Sequence, residues 1–122
     1  MANEITASLS LQATKNGLTV TYPTKQFKAD QTGFGSDELL VTTGAAAQLA
    51  LTVTPGLSVF ENKDGTDDII VGPEDPNNVA AMVDFVKIRP GKAVLLDIDD
   101  TVDVWAKASN NTPQLLVFSL DQ

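Results

Sequence analysis

The chain predicts an all-β fold, an antiparallel β-sandwich or jelly-roll-like single domain, and three observations carry that expectation. The last third, Phe85 to Gln122, reads as short runs rich in Val, Ile and Leu (Val86–Ile88, Ala93–Ile98, Val102–Ala108, Gln114–Leu120) with turn residues between them. Short strands at such regular spacing belong to antiparallel sandwiches and barrels. The opening stretch alternates strictly, with Ile5, Ala7, Leu9, Leu11 and Ala13 on one face and Thr6, Ser8, Ser10 and Gln12 on the other. A period of two is that of a half-buried strand. Helical periodicity, by contrast, surfaces in one ambiguous place, Val79–Phe85, where a strand fits equally well. At least seven strands are expected, with helix confined to a turn or two.

The elements follow in order. Lys15-Asn16-Gly17 supplies the positive-φ positions of a tight hairpin turn, and Leu18–Tyr22 returns as the second strand. Pro23 is expected to end it, with a short strand at Gln26–Ala29 around Phe27. The two glycines of Gln31–Ser36 predict a loop with Phe34 at its tip. That ring either folds back onto the core edge or anchors a neighbouring subunit, since aromatics are enriched at interfaces. Glu38–Thr42 is a strand. Ala45–Leu51 has helix propensity, but Leu49, Leu51 and Val53 alternate, so Gln48–Thr54 is read as strand. Pro55-Gly56 turns the chain. Leu57–Glu61 and Asp68–Val71 then form a second hairpin around Lys63-Asp64-Gly65, and Pro73–Asn78 is a loop. A phase shift at Phe85-Val86 predicts a bulge, after which Val86, Ile88, Val94, Leu96 and Ile98 point inward.

Composition narrows the function classes. A length of 122 residues without repeat or linker indicates one domain, 1–122. Eight Lys+Arg against sixteen Asp+Glu give a net charge of -8, which makes nucleic acid and anionic membrane poor partners. With no Cys, disulfides, thiolate metal sites and thiol nucleophiles are excluded; with no His, the commonest general base and transition-metal ligand are missing. The opening residues lack the basic and apolar regions of a signal peptide, and no apolar run has the length of a membrane span. A soluble protein made in a cytosol is expected.

Two constellations invite a chemical role. Ala93–Leu96 followed by Asp97-Ile98-Asp99-Asp100-Thr101 resembles the first motif of the haloacid-dehalogenase phosphatases. That resemblance would make Asp97 the nucleophile, Asp99 the general acid and Thr101 a phosphate ligand. The family needs an α/β fold and a long downstream run of helices, and only 21 residues follow Thr101. Asp99-Asp100 is instead expected to be a turn, where Asp bonds the local backbone. The clusters Asn62, Asp64, Asp67, Asp68 and Asp97, Asp99, Asp100, Asp103 could offer oxygens to calcium, but their spacing is not that of an EF-hand. A solvated acidic rim is expected. Glycosidase chemistry needs two carboxylates across an aromatic-lined cleft, and one Trp and one Tyr make a weak platform. No catalytic, cofactor-binding or metal-binding residue is assigned, and no enzyme activity is expected.

The informative residues concern assembly. Val102, Val104, Ala106 and Ala108 form one face of their strand, which leaves Trp105 out of phase with the core. Trp105 is therefore covered by a loop or hairpin of its own chain, or by another subunit. Gln114–Leu120 is apolar on both faces, with Leu116, Phe118 and Leu120 opposite Leu115 and Val117. Trp105, Phe34, Leu116, Phe118 and Leu120 are the candidate interface residues of a homo-oligomer, a trimer being favoured.

Several patterns are similar to those of small tailed-phage virion proteins. They are the opening Met1-Ala2-Asn3-Glu4-Ile5 with alternating apolar residues, the Asn-containing stretch Val59–Gly65, the Phe85–Lys92 turn (Phe-Val-Lys-Ile-Arg-Pro-Gly-Lys), the strand at Leu95-Leu96 and the strand end Ala106-Lys107-Ala108. The resemblance covers both ends well and Thr24–Thr54 poorly. It implies a structural role in the virion of a bacteriophage, assembled in the host cytoplasm. The protein would be a capsid decoration (cement) protein on the outside of the major capsid lattice, or a small tail or fibre component. Its partners would be copies of itself and the major capsid protein or other virion proteins. A carbohydrate-binding β-sandwich module is the alternative from a different class.

Overall fold

The computed structural model describes residues 5–29, 33–41, 46–52, 56–78, 81–99 and 101–121. Among them the chain is all-β, with ten strands, antiparallel pairing throughout and no helix. Its contacts gather into two compact units, the hairpin of residues 1–32 and the body of residues 33–121, where the sequence pattern showed no boundary.

The hairpin consists of β1 (Ile5–Lys15) and β2 (Leu18–Ala29). Asn16 and Gly17 have φ of 53° and 78°, which is the left-handed geometry that joins twisted strands in two residues. Pro23 does not end β2. Pro23 and Thr24 lie opposite the single residue Ser10, so the ladder bulges there and the strand continues to Ala29. The register sets Leu9, Leu11 and Ala13 on one face with Lys25, Tyr22 and Val20, as the alternation predicts. That face is not half-buried, however. Leu11, Leu18 and Val20 are 70%, 68% and 63% exposed.

The body is a jelly roll. Its strands are β3 (Gly33–Leu40), β4 (Ala47–Gln48), β5 (Leu57–Asn62), β6 (Ile69–Pro73), β7 (Val86–Ile88), β8 (Ala93–Asp97), β9 (Val104–Ala108) and β10 (Gln114–Asp121). They pair as one ribbon folded on itself: β3 with β10, β4 with β9, β5 with β8, β6 with β7. The further pairs β10–β5 and β9–β6 roll this ribbon into two four-stranded sheets, β3-β10-β5-β8 and β4-β9-β6-β7. This arrangement is the double-sheet solution to the edge-strand problem. Phe60, Leu115 and Val117 from the first sheet meet Ile69, Val71, Ile88, Val104, Ala106 and Ala108 from the second, and all are buried. Val86, Val94, Leu96 and Ile98 pack against them, as their phase predicts.

Only β6 and β7 are both consecutive and paired; the other body connections pass from one sheet to the other. Leu57–Glu61 and Asp68–Val71 are therefore not a hairpin. They meet at a corner built on Asn62, which is fully buried. Its Nδ2 donates to the carbonyls of Asp67 (2.7 Å) and Ile88 (2.9 Å), and its Oδ1 accepts the Asp64 N–H at 2.9 Å.

Three further expectations are corrected. Gly33–Ser36 is strand rather than loop, because Gly35 is a buried position facing Ser119 in β10. Among the described residues the strand expected at Gln48–Thr54 is confined to Ala47–Gln48, Val53 and Thr54 lying outside them, and Thr52 instead binds the Asp37 carboxylate through its N–H (3.0 Å) and hydroxyl (2.6 Å). Val79 lies outside the described residues. Ala81–Phe85 is neither helix nor strand but stays beside β6. Met82 bridges Glu74 and Val86 pairs with Val71, so residues 83–85 face only 72 and 73. The ladder bulges just before β7, as the phase shift predicts.

Candidate interaction surface

Each sheet of the body has an outer face, and the two faces are covered differently. On β4-β9-β6-β7 the register aligns Gln48, Trp105 and Gly72. The backbone of Met82–Val83 crosses that face so closely that a Cβ at position 72 would overlap the Val83 carbonyl oxygen. The Val83 N–H donates to the Pro73 carbonyl at 2.9 Å, and Lys107, on the same outer face, pairs with Asp84 at 2.7 Å. The segment is thus held at Val83 and Asp84. Trp105 is 9% exposed in the single chain, with its Nε1 lacking a hydrogen-bond partner among the described residues. Of the two covers the sequence left open for Trp105, the chain itself supplies much of one.

The outer face of β3-β10-β5-β8 has no such crossing among the described residues. Its register forms three rows across β10, β5 and β8: Leu116, Glu61, Ala93; Phe118, Val59, Leu95; Leu120, Leu57, Asp97. Phe118, Val59 and Leu95 are 43%, 36% and 37% exposed, and Leu57, Leu116 and Leu120 are half-buried. On the β3 side the partners are Glu38, Ser36 and position 34. The Phe34 backbone pairs with Leu120, and its side chain lies outside the described residues. Carboxylates rim the strip. Glu38 accepts from Gln114 Nε2 at 3.0 Å and meets Lys63 Nζ at 3.9 Å, while Glu61 and Asp97 stand at opposite corners.

The face of an antiparallel sheet turned to water is ordinarily polar. Here an apolar strip two residues wide runs along three strands instead. Leu116, Phe118 and Leu120 are the residues the sequence singled out, and they do stand together. Leu57, Val59 and Leu95 complete the patch. Their signal was present in the sequence, since β5 and β8 also carry apolar residues in both phases, but the two strands could not be placed beside β10.

The acidic groups serve the turns. The Asp64 carboxylate accepts the N–H groups of Thr66 (3.0 Å) and Asp67 (2.7 Å), and the Thr66 bond, then the Asp67 bond, hold its pKa below the ordinary aspartate value. Asp67 accepts Asn111 Nδ2 at 2.9 Å, linking two corners. Asp99 accepts the N–H and hydroxyl of Thr101, the local turn expected of it; Asp100 lies outside the described residues. Asp97 ends a strand of an antiparallel sheet, not the parallel α/β sheet that the phosphatase motif requires. No group of three or more acidic side chains among the described residues has the geometry of a metal site. No family model, curated protein or solved structure matches the chain.

Proposed function

We propose that this is a structural protein of a bacteriophage virion, a decoration (cement) protein that binds the outside of the major capsid lattice as a homo-oligomer, with a trimer favoured. The observation that carries this reading is the apolar strip Leu116–Phe118–Leu120 with Val59 and Leu95 on an outer sheet face of an otherwise acidic body. Six apolar side chains left against water on a rigid sheet are suited to an extended contact with other subunits. The carboxylates around the strip would steer such contacts and disfavour nucleic acid. Two further features support it: jelly rolls recur in capsid proteins, and the patterns at Val59–Gly65 and Phe85–Lys92 resemble those of small virion proteins.

The test pairs particle binding with mass measurement. Size-exclusion chromatography with light scattering on the purified chain is expected to give a trimer, and the chain is expected to cosediment with particles at a copy number that matches the capsid lattice. Phe118→Asp places a charge at the centre of the strip without touching the core. It should weaken association by roughly 30-fold, the equivalent of about 2 kcal/mol at a contact centre. A monomer that leaves particles bare refutes the proposal, and a few copies per particle move the protein to the tail.

A further inference from the structure

Between the two sheets of the body lies an apolar cavity of about 340 Å³ that opens at one end of the roll. Phe60 on β5 and Leu96 on β8 line it from one sheet, Val71 on β6 and Val104 on β9 from the other. Phe60, Val71 and Val104 are buried, so the cavity reaches into the core rather than lying on the surface. Its mouth is apolar as well: Val83, Phe85 and Val102 stand there 44%, 74% and 37% exposed. Packed interiors leave few voids larger than a water molecule. A cavity above roughly 300 Å³ that opens between exposed apolar side chains has the form of a ligand site.

The chemistry of the lining decides among occupants. Water held in such a space needs about two to four polar partners. Asp97 is the one polar side chain on the lining, and it is already engaged. A segment of another protein would bring its backbone N–H and carbonyl groups in with its side chains, and the hydrocarbon walls offer those groups no partners. One side chain reaching in from a neighbouring surface is too small. An apolar cavity of about 150 Å³ takes up benzene, so this one has room for on the order of twelve carbons, several times a leucine side chain.

We propose that this cavity binds an uncharged small molecule, taking up a hydrocarbon group of on the order of twelve carbons between the sheets. Affinity comes from apolar area removed from water, and any polar end of the ligand stays at the mouth. Each methylene moved into the cavity tightens binding about fourfold, and the gain stops once the space is full. A charge on the ligand would lose hydration there without gaining a partner, since no cationic side chain is among the lining residues. The site is separate from the strip on β10 and does not depend on a virion role.

The probes are the straight-chain primary alcohols from hexanol to tetradecanol, titrated into the isotope-labelled full chain and followed by amide chemical shifts. The longer members are read by displacement of octanol. Saturable shifts are expected at Val71, Val83, Phe85, Leu96 and Val104, with dissociation constants that fall about fourfold per methylene and level off near dodecanol. Val104→Phe puts about four more carbons into the same space and Leu96→Phe about three, so each should lower that limit by a similar number. Val104 is buried and Leu96 half-buried, so Leu96→Phe carries the comparison should Val104→Phe fail to fold. Decanoate should bind more weakly than decanol, and equal affinity overturns the assignment to uncharged ligands. Shifts that gather instead around Leu11 and Val20 on the hairpin, or around Phe118 on the strip, place binding on an outer surface and overturn the proposal. The absence of saturable shifts overturns it too, as does a length limit unmoved in a folded variant.

Discussion

Asn62 is the residue whose loss should cost the body most for the fewest atoms changed. It ends β5 where the chain leaves one sheet for the other, and it is fully buried. Its backbone N–H and carbonyl bind Lys92 and Gly91, so the corner at 62–68 and the turn at 89–92 are joined there. Its carboxamide binds three further backbone groups, the carbonyls of Asp67 and Ile88 and the N–H of Asp64. Asn62→Leu keeps the volume and the backbone bonds but strips those three partners. Two buried carbonyls losing their donors cost about 1–3 kcal/mol each, partly offset by the better burial of an apolar side chain. A net loss of about 3 kcal/mol is expected, a large part of the roughly 5–15 kcal/mol that stabilises a domain. Urea unfolding followed by the fluorescence of Trp105, the single tryptophan, reads this directly. With a slope of about 2 kcal/mol per molar urea the midpoint should fall by about 1.5 M. A fall under about 0.3 M would mean that water replaces the carboxamide at no cost and that Asn62 is not the pin of the corner.

Gly72→Ala sets a methyl group where the Val83 carbonyl oxygen passes, and the backbone there is held by the Val83–Pro73 bond and the Lys107–Asp84 pair. The variant should lose about 3 kcal/mol or more, and the native-state emission of Trp105 should shift to the red as its cover lifts; unchanged emission and stability refute the crossing. Asp64→Ala removes a carboxylate whose pKa is depressed by the N–H groups of Thr66 and Asp67. A depressed group contributes stability that is present above its unfolded value of about 3.9 and is lost as pH falls through the folded value. The penalty of the substitution should therefore be full at about pH 7 and shrink at about pH 2, and an equal penalty at both pH values refutes the turn-capping role of the charge.

The parts of this fold that were legible are those that depend on neighbouring residues alone. Alternation placed Leu9, Leu11 and Ala13 on one face, and Asn16-Gly17 declared the turn between β1 and β2. The inward phase of Val104, Ala106 and Ala108 was equally plain. What alternation does not carry is the identity of a strand's partner. Leu57–Glu61, a polar loop and Asp68–Val71 look the same whether they pair or pass between sheets. The choice is made by Asn62 bonding Ile88, 26 positions away. Gly33 and Gly35 pointed to a loop for the same reason. Glycine marks a turn and a buried strand position alike, and only the pairing with β10 distinguishes them.

The same limit governs the candidate surface. β10 is apolar on two faces and β9 sets Trp105 on its outer one, so the sequence shows that each needs a cover without saying what supplies it. For Trp105 the answer lies in a residue with no side chain. Gly72 stands opposite it in β6, and that gap leaves room for the backbone at Val83 to lie against the sheet beside the row of Trp105. Phe118 has no glycine beside it. Its neighbours in the row are Ser36, Val59 and Leu95, whose side chains hold any crossing backbone away from the sheet. A cover there must instead come as side chains that interdigitate with Phe118 and Leu95, which is how a second folded surface packs. Glycine opposite a large aromatic thus leaves room for a backbone to lie against the sheet, and a row of large apolar residues admits only a surface that meets it with side chains.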